Sequence, residues 1–107
     1  MKAMLSVVTF QVAPGRMAEF RAAARKLQAI EQRLAVNLTG MRLFEAEVAG
    51  DGSGQVSLVF EYADLASWGA TVDRERQDAE YQGLVASAAG GDIATLVDRA
   101  LYSELSF

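Results

Sequence analysis

The sequence predicts an α+β fold, a four-stranded antiparallel sheet with helices on one face, in the order βαββαβ. Four runs rich in β-branched and aromatic residues alternate with two stretches of helical period. A glycine-rich connection joins the second and third extended runs directly, so those two strands pair antiparallel. The chain has 107 residues, 51% of them hydrophobic and 22% charged, with one proline. That composition suits one domain over 1–107 and excludes a disordered chain.

The first strand is Met4 to Val12, where Val7, Val8, Thr9, Phe10 and Val12 favour extended backbone and Ala13-Pro14-Gly15 stops the run. From Arg16 the period becomes helical, with Met17, Phe20, Ala24, Leu27, Ile30 and Leu34 on one stripe. The charges between Arg16 and Val36 (Arg16, Glu19, Arg21, Arg25, Lys26, Glu31 and Arg33) read as a solvated face with intrahelical ion pairs. Asn37 to Gly40 supplies the stop, because Asn and Gly tolerate the left-handed conformation that ends helices. Met41 to Ala49 is the second strand, Gly50-Asp51-Gly52-Ser53-Gly54 the connection, and Gln55 to Tyr62 the third strand. A phosphate-cradling glycine loop leads from a strand into a helix, whereas this one joins two strands.

Asp64 is placed to cap a second helix whose stripe is Leu65, Trp68 and Val72, and Asp73-Arg74-Glu75-Arg76 reads as a solvent-facing run of alternating sign. A further helical piece starts near Asp78, turns Tyr81, Leu84, Val85 and Ala88 inward, and ends at Gly90-Gly91. Gly69 and Gly83 weaken these pieces, which places a break between them. Thr95 to Phe107 is the last strand.

Composition excludes several chemistries. Without cysteine there is no disulfide, thiolate nucleophile or iron–sulfur site; without histidine there is no His-dependent triad or HExxH metal site. No metal or cofactor is expected, and any catalysis rests on Asp, Glu, Lys, Arg, Tyr, Ser or Thr. A net charge of −4 and a pI near 4.7 argue against nucleic acid as a partner. No stretch approaches the ~20 apolar residues of a membrane span, and Ala3 to Phe10 reads as a strand rather than a signal peptide, so a soluble cytoplasmic protein is expected.

Parity along the strands divides the sheet into two faces. Val56, Leu58, Phe60 and Tyr62 share one face with Met4, Val8, Phe10 and Val12. The other carries Leu5, Val7, Val59 and, from the second strand, Met41 and Leu43, with Thr9, Gln11, Glu45, Glu47, Ser57 and Glu61 among them. The helices shelter only one face. A second copy packed sheet to sheet covers the other, so a homodimer with a partly wet interior is expected.

The run Phe60-Glu61-Tyr62-Ala63-Asp64-Leu65-Ala66-Ser67-Trp68, followed by Asp78-Ala79-Glu80-Tyr81-Gln82-Gly83-Leu84, resembles the dimeric α+β barrel superfamily, particularly its NIPSNAP-like members. The resemblance implies a ferredoxin-like sandwich paired into a dimeric α+β barrel. It also implies a pocket between sheet and helices, as in the superfamily's antibiotic-biosynthesis monooxygenases and haem degraders. Those proteins carry an Asn on the first strand, a Trp just before the second helix and, in haem degraders, a His. Here the first strand has no Asn, Tyr62 stands at the Trp position, Trp68 is displaced along the chain and there is no His, which argues against haem degradation. The RNA-recognition motif shares the topology but displays aromatics on its open sheet face, whereas Phe10, Phe60 and Tyr62 fall on the helix-covered side.

The candidate pocket residues are therefore Phe10, Phe20, Tyr62, Trp68 and Tyr81, against the plainer reading of Phe20, Trp68 and Tyr81 as core. Glu45 and Glu61 are candidates for a polar interior capable of acid/base work or hard-metal binding, against the plainer reading of solvated or interface carboxylates. Arg42 and Arg99 could neutralise an acidic ligand, against the plainer reading of ordinary ion pairs. No residue is assigned as catalytic. The leading expectation is a homodimeric small-molecule-binding or accessory protein with an apolar or aromatic ligand. The alternative is a cofactor-independent monooxygenase or isomerase that acts on an aromatic, polyketide-like substrate through Tyr62 and a carboxylate; a purely structural partner protein is the third possibility.

Overall fold

In the computed structural model, which describes residues 2–47 and 54–107, the elements follow the expected order: β1 (Met4–Val12), α1 (Met17–Leu34), β2 (Leu38–Glu45), β3 (Gln55–Tyr62), α2 (Leu65–Gln77), α3 (Ala79–Ala88) and β4 (Ala94–Ser103). The strands form one antiparallel sheet in the order β2-β3-β1-β4. Parity survives in the central pair. Met4 faces Tyr62, Val8 faces Leu58 and Phe10 faces Val56, so the large apolar side chains of β1 and β3 share the helix-covered face.

Two clusters make the core. Met4, Leu58, Phe60 and Tyr62 pack beneath Leu27, Met41 and Trp68, while Val12, Phe20, Val56 and Ala94 close the other end. The slab of sheet and helices is only 17 Å through its thinnest dimension, the depth of one sheet and one helix layer. Among the described residues no helix covers the second sheet face. No helix among the described residues is long and apolar enough to cross a membrane.

Several boundaries differ from the sequence reading. The chain leaves α1 through extended Ala35 and turns at Asn37, the residue with φ of +50°; Leu38 already pairs with Tyr62, so β2 starts before Met41. This register reverses the expected faces of β2. Met41 and Leu43 align with Phe60 and Leu58 on the helix side, while Arg42 and Phe44 lie on the open face, the Arg42 guanidinium 5.9 Å from the Phe44 ring centroid. The expected connection at 50–53 lies outside the described residues. Its last glycine, Gly54, has φ of +84°, a backbone that L side chains rarely adopt.

Between α2 and α3 the break falls at Asp78, where it was expected, because the Asp78 carboxylate accepts the Tyr81 N–H at 2.8 Å and so starts a new helix. Asp64 caps α2 as expected, accepting from Ser67 N–H at 2.8 Å. Leu65, expected inward, is 55% exposed. The last strand stops at Ser103 and does not extend to Phe107.

The α1–β2 turn is locked onto α2 by one buried hydroxyl. Thr71 is fully buried; its Oγ1 donates to the Ser67 carbonyl at 2.9 Å and accepts the Val36 N–H at 2.9 Å. Asn37 Nδ2 donates to Ser67 Oγ at 3.0 Å beside it. Thr71→Val keeps the shape and leaves the Val36 N–H without its acceptor, so a loss of about 1–3 kcal/mol in urea unfolding is expected. Stability unchanged in that variant would mean that Val36 finds another acceptor.

Candidate functional site

Below the β1–β4 half of the sheet, α2 and α3 leave a hollow of about 310 Å³. β3 contributes Phe60 and Tyr62 at its end, α2 brings Trp68, Val72, Glu75 and Arg76 at helical spacing, α3 opens with Tyr81, and β4 supplies Arg99. A second hollow of about 110 Å³ shares Val8, Phe60, Tyr81 and Arg99 with the first and reaches Phe10 and Leu27. Three aromatic rings and a tryptophan thus meet two cationic side chains and one carboxylate around a single space.

Glu31, from α1, lines neither hollow but interacts with Glu75, Tyr62 and Tyr81 of this region. It is 1% exposed, and no N–H or hydroxyl group of the described residues donates to either carboxyl oxygen. An ionised carboxylate so placed would be costly. The Glu75 side chain lies within hydrogen-bonding reach. Two carboxylates in contact away from water do not both ionise readily. Burial first, then the Glu75 carboxyl, pushes Glu31 up to about 8. Burial also raises Glu75, while the Glu31 hydrogen bond and the Arg99 guanidinium pull it back.

The neighbouring phenols are held neutral. Burial, reinforced by Glu31 and Glu75, raises Tyr62 far above the usual tyrosine range. Burial and the same two carboxyls push Tyr81 up to about 12, against the opposing pull of Arg99. Both can donate a hydrogen bond, and neither serves as a base at neutral pH. Arg99 makes no ion pair among the described residues, and so remains available to an anionic or polarised oxygen.

The geometry brings together Tyr62, Trp68 and Tyr81 of the expected pocket residues, with Phe10 in the adjoining hollow. Phe20 lies elsewhere, in the far core cluster, its ring 5.3 Å from that of Phe10. Glu45 and Glu61 are not brought together: Glu45 aligns with Val56 on the helix side, whereas Glu61 lies on the open face and accepts from Thr39 Oγ1 at 2.7 Å. Glu31 and Glu75, read from sequence as solvated, are the interior carboxyls instead. A signal for both was present: Glu31 is spaced four after Leu27 and three before Leu34, and Glu75 four after Thr71 and three after Val72, on the inward stripes of their helices. Alternating charge in Asp73 to Arg76 concealed the second.

No protein-family model matches the chain, and no curated protein does. Solved structures do. SnoaB of Streptomyces nogalater, a cofactor-independent oxygenase solved as a mutant, superposes with a TM-score of 0.75 at 12% identity over 100% of this chain and 97% of its own. A NIPSNAP family protein of Agrobacterium tumefaciens gives 0.70 at 17% identity, covering 98% and 86%. A candidate antibiotic biosynthesis monooxygenase of Bordetella bronchiseptica gives 0.68 at 19%, covering 100% and 99%. This is the NIPSNAP-like and antibiotic-biosynthesis-monooxygenase-like fold. At such identities the likeness is one of fold, and the chemistry of this chain rests on its own side chains.

Proposed function

We propose that the chain is a homodimeric small-molecule-binding protein whose ligand, an aromatic molecule bearing a polar oxygen, occupies the hollow between the sheet and α2–α3. One observation supports this reading above the others: a space of about 310 Å³, within the range of small-molecule sites, walled by Phe60, Tyr62, Trp68 and Tyr81 and ending in Glu75 and Arg99. Flat apolar walls suit a ring system, and the charged end suits a carbonyl or hydroxyl group.

Dimerisation is supported by the open sheet face. Leu5, Val7 and Val59 are half-buried there without a helix above them, and Phe44 and Tyr102 are each about half exposed at its margins. An isologous pairing of this face closes with two copies.

Trp68 is the chain's single tryptophan and lies in the hollow, so its emission reports occupancy. Titration with bicyclic aromatic ketones and phenols is expected to shift that emission saturably, and Trp68→Phe to remove the signal. In sedimentation at micromolar concentration the wild type is expected to run as a dimer and Val7→Glu, which faces Val59 across the sheet, as a monomer. A panel that leaves the emission unmoved would remove the binding role, and a lone wild-type protomer would remove the dimer.

A further inference from the structure

A separate depression of about 280 Å³ opens between α1 and the edge strand β2. Its floor is apolar, built from Leu58 of β3, Met41 and Leu43 of β2, and Ala24, whose small side chain leaves the space beneath α1 unfilled. Leu43 is 40% exposed there. The α1 wall carries Arg21, Arg25 and Gln28, spaced four and then three residues apart and therefore on one face of the helix. Among the described residues no carboxylate lines the depression.

The charge on this wall has no internal partner. Arg16 to Val36 holds five basic and two acidic residues in a chain of net charge −4. Arg16 pairs with Glu19, and Arg33 with Asp78 and Glu80, whereas Arg21 and Arg25 make no ion pair among the described residues. Glu31, the other acid of the stretch, is buried and engaged with Glu75. Arg42 borders the depression too, but its guanidinium lies 5.9 Å from the Phe44 ring centroid on the open sheet face. Like charges four apart on a helix repel and destabilise it, so the fold keeps Arg21 beside Arg25 at a cost that a bound anion relieves.

We propose that the depression between α1 and β2 is a second ligand site, for a small carboxylic acid with an apolar body. The carboxylate meets Arg21 and Arg25, whose guanidinium forks present paired N–H donors, and the Gln28 amide supplies a further donor. The hydrocarbon lies on Ala24, Met41, Leu43 and Leu58. A volume at the lower end of ligand pockets limits that body to a short chain or a single ring. The site shares no lining residue with the hollow beside Trp68, so it stands whether or not that hollow holds a ligand.

The test compares octanoate, 1-octanol and acetate by two-dimensional NMR titration of the backbone amides at neutral pH and low salt. Octanoate is expected to shift the amides of 21–28 and 41–43 saturably and to bind about tenfold or more tighter than octanol, which lacks the charge, or acetate, which lacks the chain. Arg21→Gln and Arg25→Gln change exposed residues, so both variants are expected to fold; each is expected to weaken octanoate several-fold, and the double variant to bring it to the level of octanol. Lys26→Gln removes the same charge from a residue that lines a different depression with Glu80 and Leu84, and is expected to leave the affinity within about twofold of wild type. Equal binding of octanol and octanoate would remove the arginines from the site. An equal loss in Lys26→Gln would reduce the effect to diffuse attraction by a basic helix, and shifts confined to the surroundings of Trp68, or none at all, would overturn the inference outright.

Discussion

Raising the pH from about 5 to about 8 is expected to lower the melting temperature of this protein by several degrees, a loss of about 1 kcal/mol corresponding to about 4–8 °C for a domain of this size. The sign follows from Glu31. In the unfolded chain its carboxyl ionises around the ordinary value of 4.5, whereas in the fold it retains its proton to about 8. Between those values the unfolded state binds fewer protons than the native state, so stability declines as pH rises. Each unit of separation corresponds to about 1.4 kcal/mol. Glu75, also raised by burial, acts in the same direction.

The helix caps Asp64 and Asp78 act oppositely. Their hydrogen bonds hold them below 3.8, so the stability they contribute is lost only as pH falls beneath that value, outside the window. Glu31→Gln, which stays neutral throughout, should flatten most of the slope in a melting series at fixed protein concentration. A wild-type melting temperature that is level or rises between pH 5 and 8 would show that the Glu31 proton is not retained on folding.

Phe60→Ala is expected to cost about 3–5 kcal/mol in denaturant unfolding. Phe60 is 7% exposed, packs with Met4, Leu58 and Tyr62 in the larger core cluster, and also lines both hollows. Truncation deletes the ring contacts and joins the vacated volume to an existing space, so the surrounding side chains gain little by collapsing into it. Phe60→Leu restores most of the volume and should cost about 1.5 kcal/mol or less, the range of swaps that conserve core volume. Ligand binding should fall in the alanine variant even where it remains folded, because one aromatic wall is gone. An alanine variant within 1 kcal/mol of wild type (~, below the usual range for buried Phe) would mean that the cluster is loosely packed.

Much of the architecture was legible because it is written in local periods. Alternation placed Val56, Leu58, Phe60 and Tyr62 on one face, the helical stripe marked Phe20, Ile30 and Leu34 as buried, and Asp64 sat where a cap was needed. Aromatic pocket residues were legible in part. Tyr62, Trp68 and Tyr81 fall at element ends or inward positions near one another in chain order, and the fold closes them around one space. The faces of β2 were not legible: a shift of one residue exchanges them, and the irregularity between Leu38 and Gly40 makes that shift.

The sequence by itself determined the element order, the central strand faces, the helix caps and the absence of thiol and imidazole chemistry. Tertiary structure alone decided which carboxyls matter. Glu31 and Glu75 look like many surface glutamates in their own helices, and each becomes unusual only because the fold brings the two together and buries them. Charge is a property of a residue, but the cost of that charge depends on what the rest of the chain places around it.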